Sequence, residues 1–222
     1  MEIRDASALV TGAGRGIGRA IALALAREGA RLTVVSRTAS ELDSLVSELE
    51  SLGARGIAFA GDLRSRSACD AAVAAAVSHF GGLQLLVNNA GVGQFATVEE
   101  TDDQAWDDVI GTNLTAVFRL TRTAIPHLAR NGGQIVMVSS LAGQNPIAGM
   151  ATYCASKAAL DHFTTCLMLE VRPKGIRVTT IAPGSVDTSF GALARAEDAT
   201  WKLSAGDIAR HLETLQWDNH RS

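Results

Sequence analysis

Residues 8–27, ALVTGAGRGIGRAIALALAR, decide the fold. Ala8-Leu9-Val10 is a short apolar run of the kind a buried strand supplies, and Ile17 to Arg27 repeats apolar residues at helical spacing. Between them lies Thr11-Gly12-Ala13-Gly14-Arg15-Gly16-Ile17-Gly18. Glycines between a strand and a helix let the chain turn sharply and approach a ligand closely. The uncapped N–H groups and dipole of the helix start favour an anion such as a pyrophosphate. Started at Gly12, the spacing is not G-x-G-x-x-G, because Ile17 falls on the third glycine; it is G-x-x-x-G-x-G through Gly12, Gly16 and Gly18. The competing possibility is a turn that merely connects, and its position between strand and helix weighs against that.

Outward from this unit the same alternation continues. Arg31 to Val35 predicts a second strand, and Thr38 to Leu52 a helix in which Thr38 and Glu41 have capping-box spacing and Gly53 is the stop. Gly56 to Ala60, Ser67 to His79 and Leu83 to Val87 then read as strand, helix and strand. Thr101 and Gln104 predict a helix start by the same capping logic, running through Trp106 and Val109 toward Phe118 or Arg130, with Pro126 expected to kink or split it. Gln134 to Ser139 is a fifth strand, Thr152 to Val171 a long helix stopped by Pro173 and Gly175, and Ile176 to Ile181 a sixth strand. Such alternation implies parallel strands joined by right-handed crossovers. The expected fold is therefore α/β, a Rossmann-type doubly wound parallel sheet of order 3-2-1-4-5-6 in three α/β/α layers. No linker or repeat divides residues 1–222, so a single domain is expected. Ser204 and Asp207 could cap a helix toward Leu215, and no seventh strand is readable before Ser222.

Composition narrows the function classes. Hydrophobic residues make up 47% of the 222 and charged residues 19%, enough for a sizeable core and too little charge for a disordered chain. Lys and Arg number 20 against 23 Asp and Glu, a net charge of -3, which argues against an electrostatic grip on nucleic acid. Cys69, Cys154 and Cys166 are an odd count without a CxxC pair, so neither a disulfide framework nor a zinc site is indicated. His79, His127, His162, His211 and His220 never pair at ligand spacing, and no metal is expected. No secretory signal and no apolar run near ~20 residues is seen, so no membrane partner and a cytoplasmic location are expected.

Two further clusters carry chemistry. The second strand ends in Ser36 and Arg37, where an acidic residue would accept the adenosine ribose hydroxyls of NAD. Arg37 could instead bind a 2'-phosphate, with Arg15 in the turn as a second cation, so NADP(H) is expected in preference to NAD(H). Tyr153, the only tyrosine, and Lys157 lie four residues apart on one face of the predicted long helix. A nearby ammonium stabilises a phenolate and would make Tyr153 a better proton partner. Ser139 and Ser140 end the fifth strand at the carboxyl edge of the sheet, where a hydroxyl can hold a substrate oxygen.

Taken in order, TGAGRGIG at 11–18, Asp62, NNAG at 88–91, Asn113 in GTNL, Ser140 in SSLAG, YCASK at 153–157 and PGSVDT at 183–188 resemble the short-chain dehydrogenase/reductase family, of the 3-oxoacyl reductase type, across about residues 6–188. The resemblance implies an NADP-dependent enzyme moving hydride between nicotinamide C4 and a ketone, 3-oxoacyl group or secondary alcohol, with 1–222 as a single NAD(P)-binding domain and 189–222 as a short C-terminal helical segment covering the substrate. It implies Ser140, Tyr153 and Lys157 as the catalytic core, with Asn113 completing a proton relay through water. Lys157 and Tyr153 would also face the ribose. By the same resemblance Gly12, Gly14, Arg15, Gly16, Ile17 and Gly18 cradle the phosphates. Asp62 and Leu63 approach the adenine, Asn89, Ala90 and Gly91 the adenosine ribose side, and Pro183, Gly184, Val186 and Thr188 the nicotinamide end. Asn88 is expected to tie strands together.

For the substrate wall, Gln94, Phe95, Ala142, Gln144, Asn145 and Ile147 are candidates, together with Met150, Tyr153, Ser185, Val186 and Phe190. They mix apolar area with a few amides and offer no arginine cluster for a charged handle. Trp106 and Phe118 are expected as core or subunit-interface anchors. The resemblance implies a homodimer through the helices that contain Asn113 and Tyr153, with a tetramer as the larger option. Two other functions compete: an NADP(H)-binding regulatory module without turnover, and an NAD-dependent sugar epimerase or dehydratase. The second needs a larger C-terminal domain than the last forty residues can build.

Overall fold

The computed structural model describes residues 2–130, 132–184, 186–187 and 203–213. Its centre is a six-stranded parallel sheet of order β3-β2-β1-β4-β5-β6: β1 Ser7–Thr11, β2 Arg31–Ser36, β3 Gly56–Ala60, β4 Leu85–Asn88, β5 Gln134–Val138 and β6 Arg177–Ile181. The inner strands are apolar on both faces, as parallel strands covered by helices must be. Residues alternate between two cores. Val10, Val34, Val87 and Val136 meet α1 (Gly16–Arg27) and α2 (Ala39–Ser51) on one face. Leu9, Val35, Leu86 and Ile135 meet α3 (Arg66–Phe80), α5 (Ala116–Leu128) and α6 (Ala151–Val171) on the other. The strand order reverses at β1: β2 and β3 lie to one side, β4 to β6 to the other. That switch point opens a crevice beyond the carboxyl ends of β1 and β4.

Local chemistry differs from expectation at two helix starts and at Pro126. Thr38 is the N-cap of α2, but its side chain makes no capping bond; the Ser36 hydroxyl instead accepts from the Thr38 N–H and donates to its carbonyl, both at 3.2 Å. The fourth helix, α4 (Asp103–Ile110), is capped by Asp102, which accepts from Ala105 N at 2.7 Å, and not by Thr101, whose hydroxyl donates to Thr97 O. Gln104 reaches Asp108 instead of folding back. Pro126 lies inside α5, two residues before its end, and does not split it, although it cannot donate to the carbonyl of Arg122. The discontinuity lies earlier, in a π turn at Gly111–Thr115 between α4 and α5.

Trp106 and Phe118 are 46% and 43% exposed, which removes them from the core of this chain. Asn88 does tie elements together: its amide donates to Thr121 of α5 at 3.1 Å and to Met137 Sδ of β5 at 3.4 Å. Near the end of the described chain, β7 (Val186–Asp187) and β8 (Leu203–Ser204) pair in a separate parallel ladder. After them α7 (Ala205–Glu213) starts with the expected cap, Ser204 N–H and hydroxyl both donating to Asp207, and Ser204 Oγ accepting from Asp207 N. Leu215 lies outside the described residues. Ile208 and Ala209 of α7 join the core on the α1 side. No helix among the described residues is long and apolar enough to cross a membrane.

Candidate active site

A cleft of about 620 Å³ runs along the carboxyl edge of the sheet, from the glycine-rich turn past Asp62 and Asn89 to Ser140, Tyr153 and Lys157. At its first end the turn leaves β1 with Gly12 and Gly16 at φ +64° and +57°, where L side chains are strained. Gly12 also makes room for a neighbour: a Cβ there would lie 2.8 Å from Asn89 Nδ2 and 2.9 Å from Ala90 Cα, and one on Gly18 would collide with Gly12 O and Asn89 Nδ2. These two glycines therefore seat the β4 loop against the turn. Thr11 completes that junction, its hydroxyl donating to Val87 O and accepting from Asn89 N and Ala90 N at 2.9 and 3.0 Å. Gly18 does not line the cleft; Gly12, Gly14, Arg15, Gly16 and Ile17 do.

The dinucleotide expected here can be tested against the residues. Arg15 is the N-cap of α1 in extended conformation and makes no side-chain cap, so the first N–H groups of α1 stay available beside Gly14 to Ile17. Ser36 and Arg37, at the end of β2, and Asp62 and Leu63, after β3, line the same end of the cleft. Arg15 and Arg37 are exposed cations. Arg64 clamps Asp62 with both Nε and Nη2 and also reaches Asp108. That guanidinium, with a smaller contribution from Arg37, holds the Asp62 carboxyl below the usual range. An extended anion with an adenosine end fits this donor set.

The other end is polar at its floor and apolar at its rim. Tyr153 and Lys157, one turn apart on α6, are both buried, and Ser140 follows β5. Lys157 Nζ donates to Val138 O at 2.9 Å and lies 5.8 Å from the Tyr153 ring centre. Burial pushes the Lys157 ammonium down to about 8, opposed by the Asp161 carboxylate. Burial also pushes the Tyr153 phenol up, while its hydrogen bond with Ser140 pulls the other way. Desolvation is the largest influence on both groups, so the phenol is held above its ordinary value and not below it. Tyr153 is a neutral acid in reach of the Ser140 hydroxyl, with a cation behind it that can be lost above pH 8.

Asn113 is placed differently from the other three. It is fully buried in the π turn, behind the cleft, and its amide is fully engaged: Oδ1 accepts from Val92 N at 2.8 Å, and Nδ2 donates to Val92 O and Ser156 Oγ, both at 3.0 Å. Its side chain fixes Val92 in the cleft wall. Asn89, Ala90, Gly91, Pro183, Gly184 and Val186 all line the cleft, whereas Thr188 lies outside the described residues.

Of the expected substrate wall, Phe95, Ala142, Ile147, Met150, Tyr153 and Val186 line the cleft. Gln94, Gln144 and Asn145 do not; the Asn145 amide turns back to Leu141 O. Ser185 and Phe190 lie outside the described residues. Sequence reasoning missed Leu141, Val92 and Glu41, which also line it. Leu141 lies inside the quoted SSLAG and Val92 directly follows NNAG, whereas Glu41 carries only a capping signal in the sequence.

Known proteins bear on this geometry. A family profile described as short chain dehydrogenase matches residues 6–199. A 2,5-dichloro-2,5-cyclohexadiene-1,4-diol dehydrogenase of Sphingobium indicum is 37% identical over 83% of this chain and 74% of its own length. A 3-oxoacyl-(acyl-carrier-protein) reductase of Vibrio cholerae is 35% identical over 92% of this chain and 83% of its own. The crystal structure of a short chain dehydrogenase from Burkholderia cenocepacia in complex with NADP superposes with a TM-score of 0.89 at 36% identity, covering 96% of this chain and 90% of that one.

Proposed function

The chain belongs to the short-chain dehydrogenase/reductase family and is an oxidoreductase of CH–OH and C=O groups, and from that premise we propose that it is an NADP(H)-preferring reductase of ketone or 3-oxoacyl substrates. The observation that carries this is the arrival of Ser140, Tyr153 and Lys157 at one end of the cleft whose other end is the phosphate-type turn with Arg15 and Arg37. Bound there, the nicotinamide supplies or accepts hydride at C4. The protein's own part in reduction is proton and charge handling. The Ser140 hydroxyl donates to the carbonyl oxygen, and Tyr153 gives its phenolic proton as that oxygen becomes an alkoxide. The Lys157 ammonium favours the phenolate left behind and donates to ribose hydroxyls, and Asn113 holds the wall from which a water relay would recharge the tyrosine. Gly12, Gly14, Arg15, Gly16, Ile17 and Gly18 form the phosphate turn. Ser36, Arg37, Asp62 and Leu63 receive the adenosine, and Asn89 to Gly91 with Pro183, Gly184, Val186 and Thr188 complete the wall.

A regulatory nucleotide binder would have no use for a phenol buried against Ser140. Phe95, Leu141, Ile147 and Met150 favour an apolar, uncharged carbonyl substrate. The residues 1–222 are proposed as one dinucleotide-binding domain working in the cytoplasm, consistent with free cysteines at 69, 154 and 166. Trp106, Phe118, Met168 and Leu169, all exposed on α4 to α6, support a homodimer through these helices. A sedimentation concentration series should show the dimer, and monomer throughout would exclude it. For the activity, a carbonyl panel followed by NADPH absorbance should show turnover that Tyr153→Phe lowers by about 10²–10⁴. NADPH affinity should be preserved in that variant. No turnover of any carbonyl despite tight NADPH binding would refute the reductase assignment.

A further inference from the structure

Glu41 stands where a helix-capping carboxylate was expected, yet it does not cap: Thr38 makes no side-chain capping bond at the start of α2 and leaves Glu41 unused. Its carboxylate lies over the glycine-rich turn. A Cβ on Gly14 would collide with Glu41 Oε2 and would lie 3.1 Å from Ser36 Oγ, so the absent side chain at position 14 makes room for Glu41 as well as for a ligand. The group lines the adenosine end of the cleft together with Arg15, Ser36, Arg37 and Thr38.

The cations that could neutralise it from neighbouring elements are committed. Arg19 of α1 bonds Glu48 at 2.7 Å and Ser44, and meets Glu41 only at its backbone carbonyl. Arg64 is taken by Asp62 and Asp108. Among the described residues no hydrogen bond or ion pair reaches the Glu41 carboxylate, which leaves a negative charge facing the same space as Arg15 and Arg37.

We propose that Glu41 is a specificity-determining residue for the dinucleotide, opposing the two arginines. A carboxylate accepts hydrogen bonds from ribose hydroxyls and repels a 2'-phosphate, while Arg15 and Arg37 attract that phosphate. Glu41 thereby limits the preference for NADP(H) and keeps NAD(H) usable. This rests on the dinucleotide site proposed above.

Fluorescence titration of the full chain with NADPH and NADH at about 0.1 M salt separates the two. Glu41→Gln should raise the ratio of Kd for NADH to Kd for NADPH roughly tenfold, mainly through tighter NADPH. The gain should shrink at about 1 M salt, where charges are screened within a few ångströms. Glu41→Ala should move the ratio the same way, which guards against a glutamine that merely keeps the ribose bond. A ratio within twofold of the parent in both variants overturns the role of Glu41 while leaving the site intact. A parent that binds neither dinucleotide overturns the site, and this inference with it.

Discussion

At Lys157, burial and charge pull against each other. The ammonium keeps one bond, to Val138 O, and the field of Asp161, whose carboxylate oxygens are themselves buried without a hydrogen-bond partner. With its pKa brought down to about 8 and that of Tyr153 pushed up, Lys157 is the first of the pair to lose its proton as pH rises. We expect kcat/KM for carbonyl reduction to be level below pH 8 and to fall above it. Asp161→Asn removes the charge that supports the ammonium, so its falling limb should move to lower pH; a coincident profile would mean that Asp161 is not felt. Folding carries the same signature. Below pH 8 both folded and unfolded chains hold the Lys157 proton, whereas between about 8 and 10.5 only the unfolded chain holds it, so this group adds stability as pH rises through that window. Urea midpoints of the parent should therefore gain on those of Lys157→Met between pH 8 and 10.5.

At the scale of elements, the two features that shape the cleft are junctions. Gly18→Ala would drive a Cβ into Gly12 O and Asn89 Nδ2, forcing the turn off the β4 loop. A loss of about 1–3 kcal/mol in urea unfolding, with weakened NADPH binding, is the expected result. Asn113→Ala would strip Val92 N and O of their partners and should cost about 2–4 kcal/mol by the same measurement, with turnover falling as the wall loosens. The strands and most helices were legible because apolar period and glycine stops are local, as with Gly53 and Gly175, both in the left-handed region. The caps were less so: Asp102 won over Thr101, and Ser36 over Thr38, since several Ser, Thr and Asp residues compete for the same N–H groups. The π turn had no signal of its own in local propensity, because what holds it open is Asn113 reaching Val92 from another element. Glu41 was misassigned for a similar reason: its partner in space, Gly14, is distant in sequence.

Across the whole molecule, the two faces of the sheet divide the labour. The α3, α5 and α6 face carries Tyr153 and Lys157, and the α1 and α2 face carries the phosphate turn and Glu41, so each half of the cleft is anchored in its own core. Ile208 and Ala209 of α7 belong to the second of these, packed on the side of α1. A chain cut after Leu203 loses the packing of Ile208 and Ala209 and should unfold at lower urea and bind NADPH more weakly; unchanged affinity would show that α1 holds the turn unaided. The same contact sets an order in time. The helix that cradles the phosphates is made long before the helix that seals its outer flank, so the nascent chain carries an open apolar flank on α1 until α7 has emerged to close it.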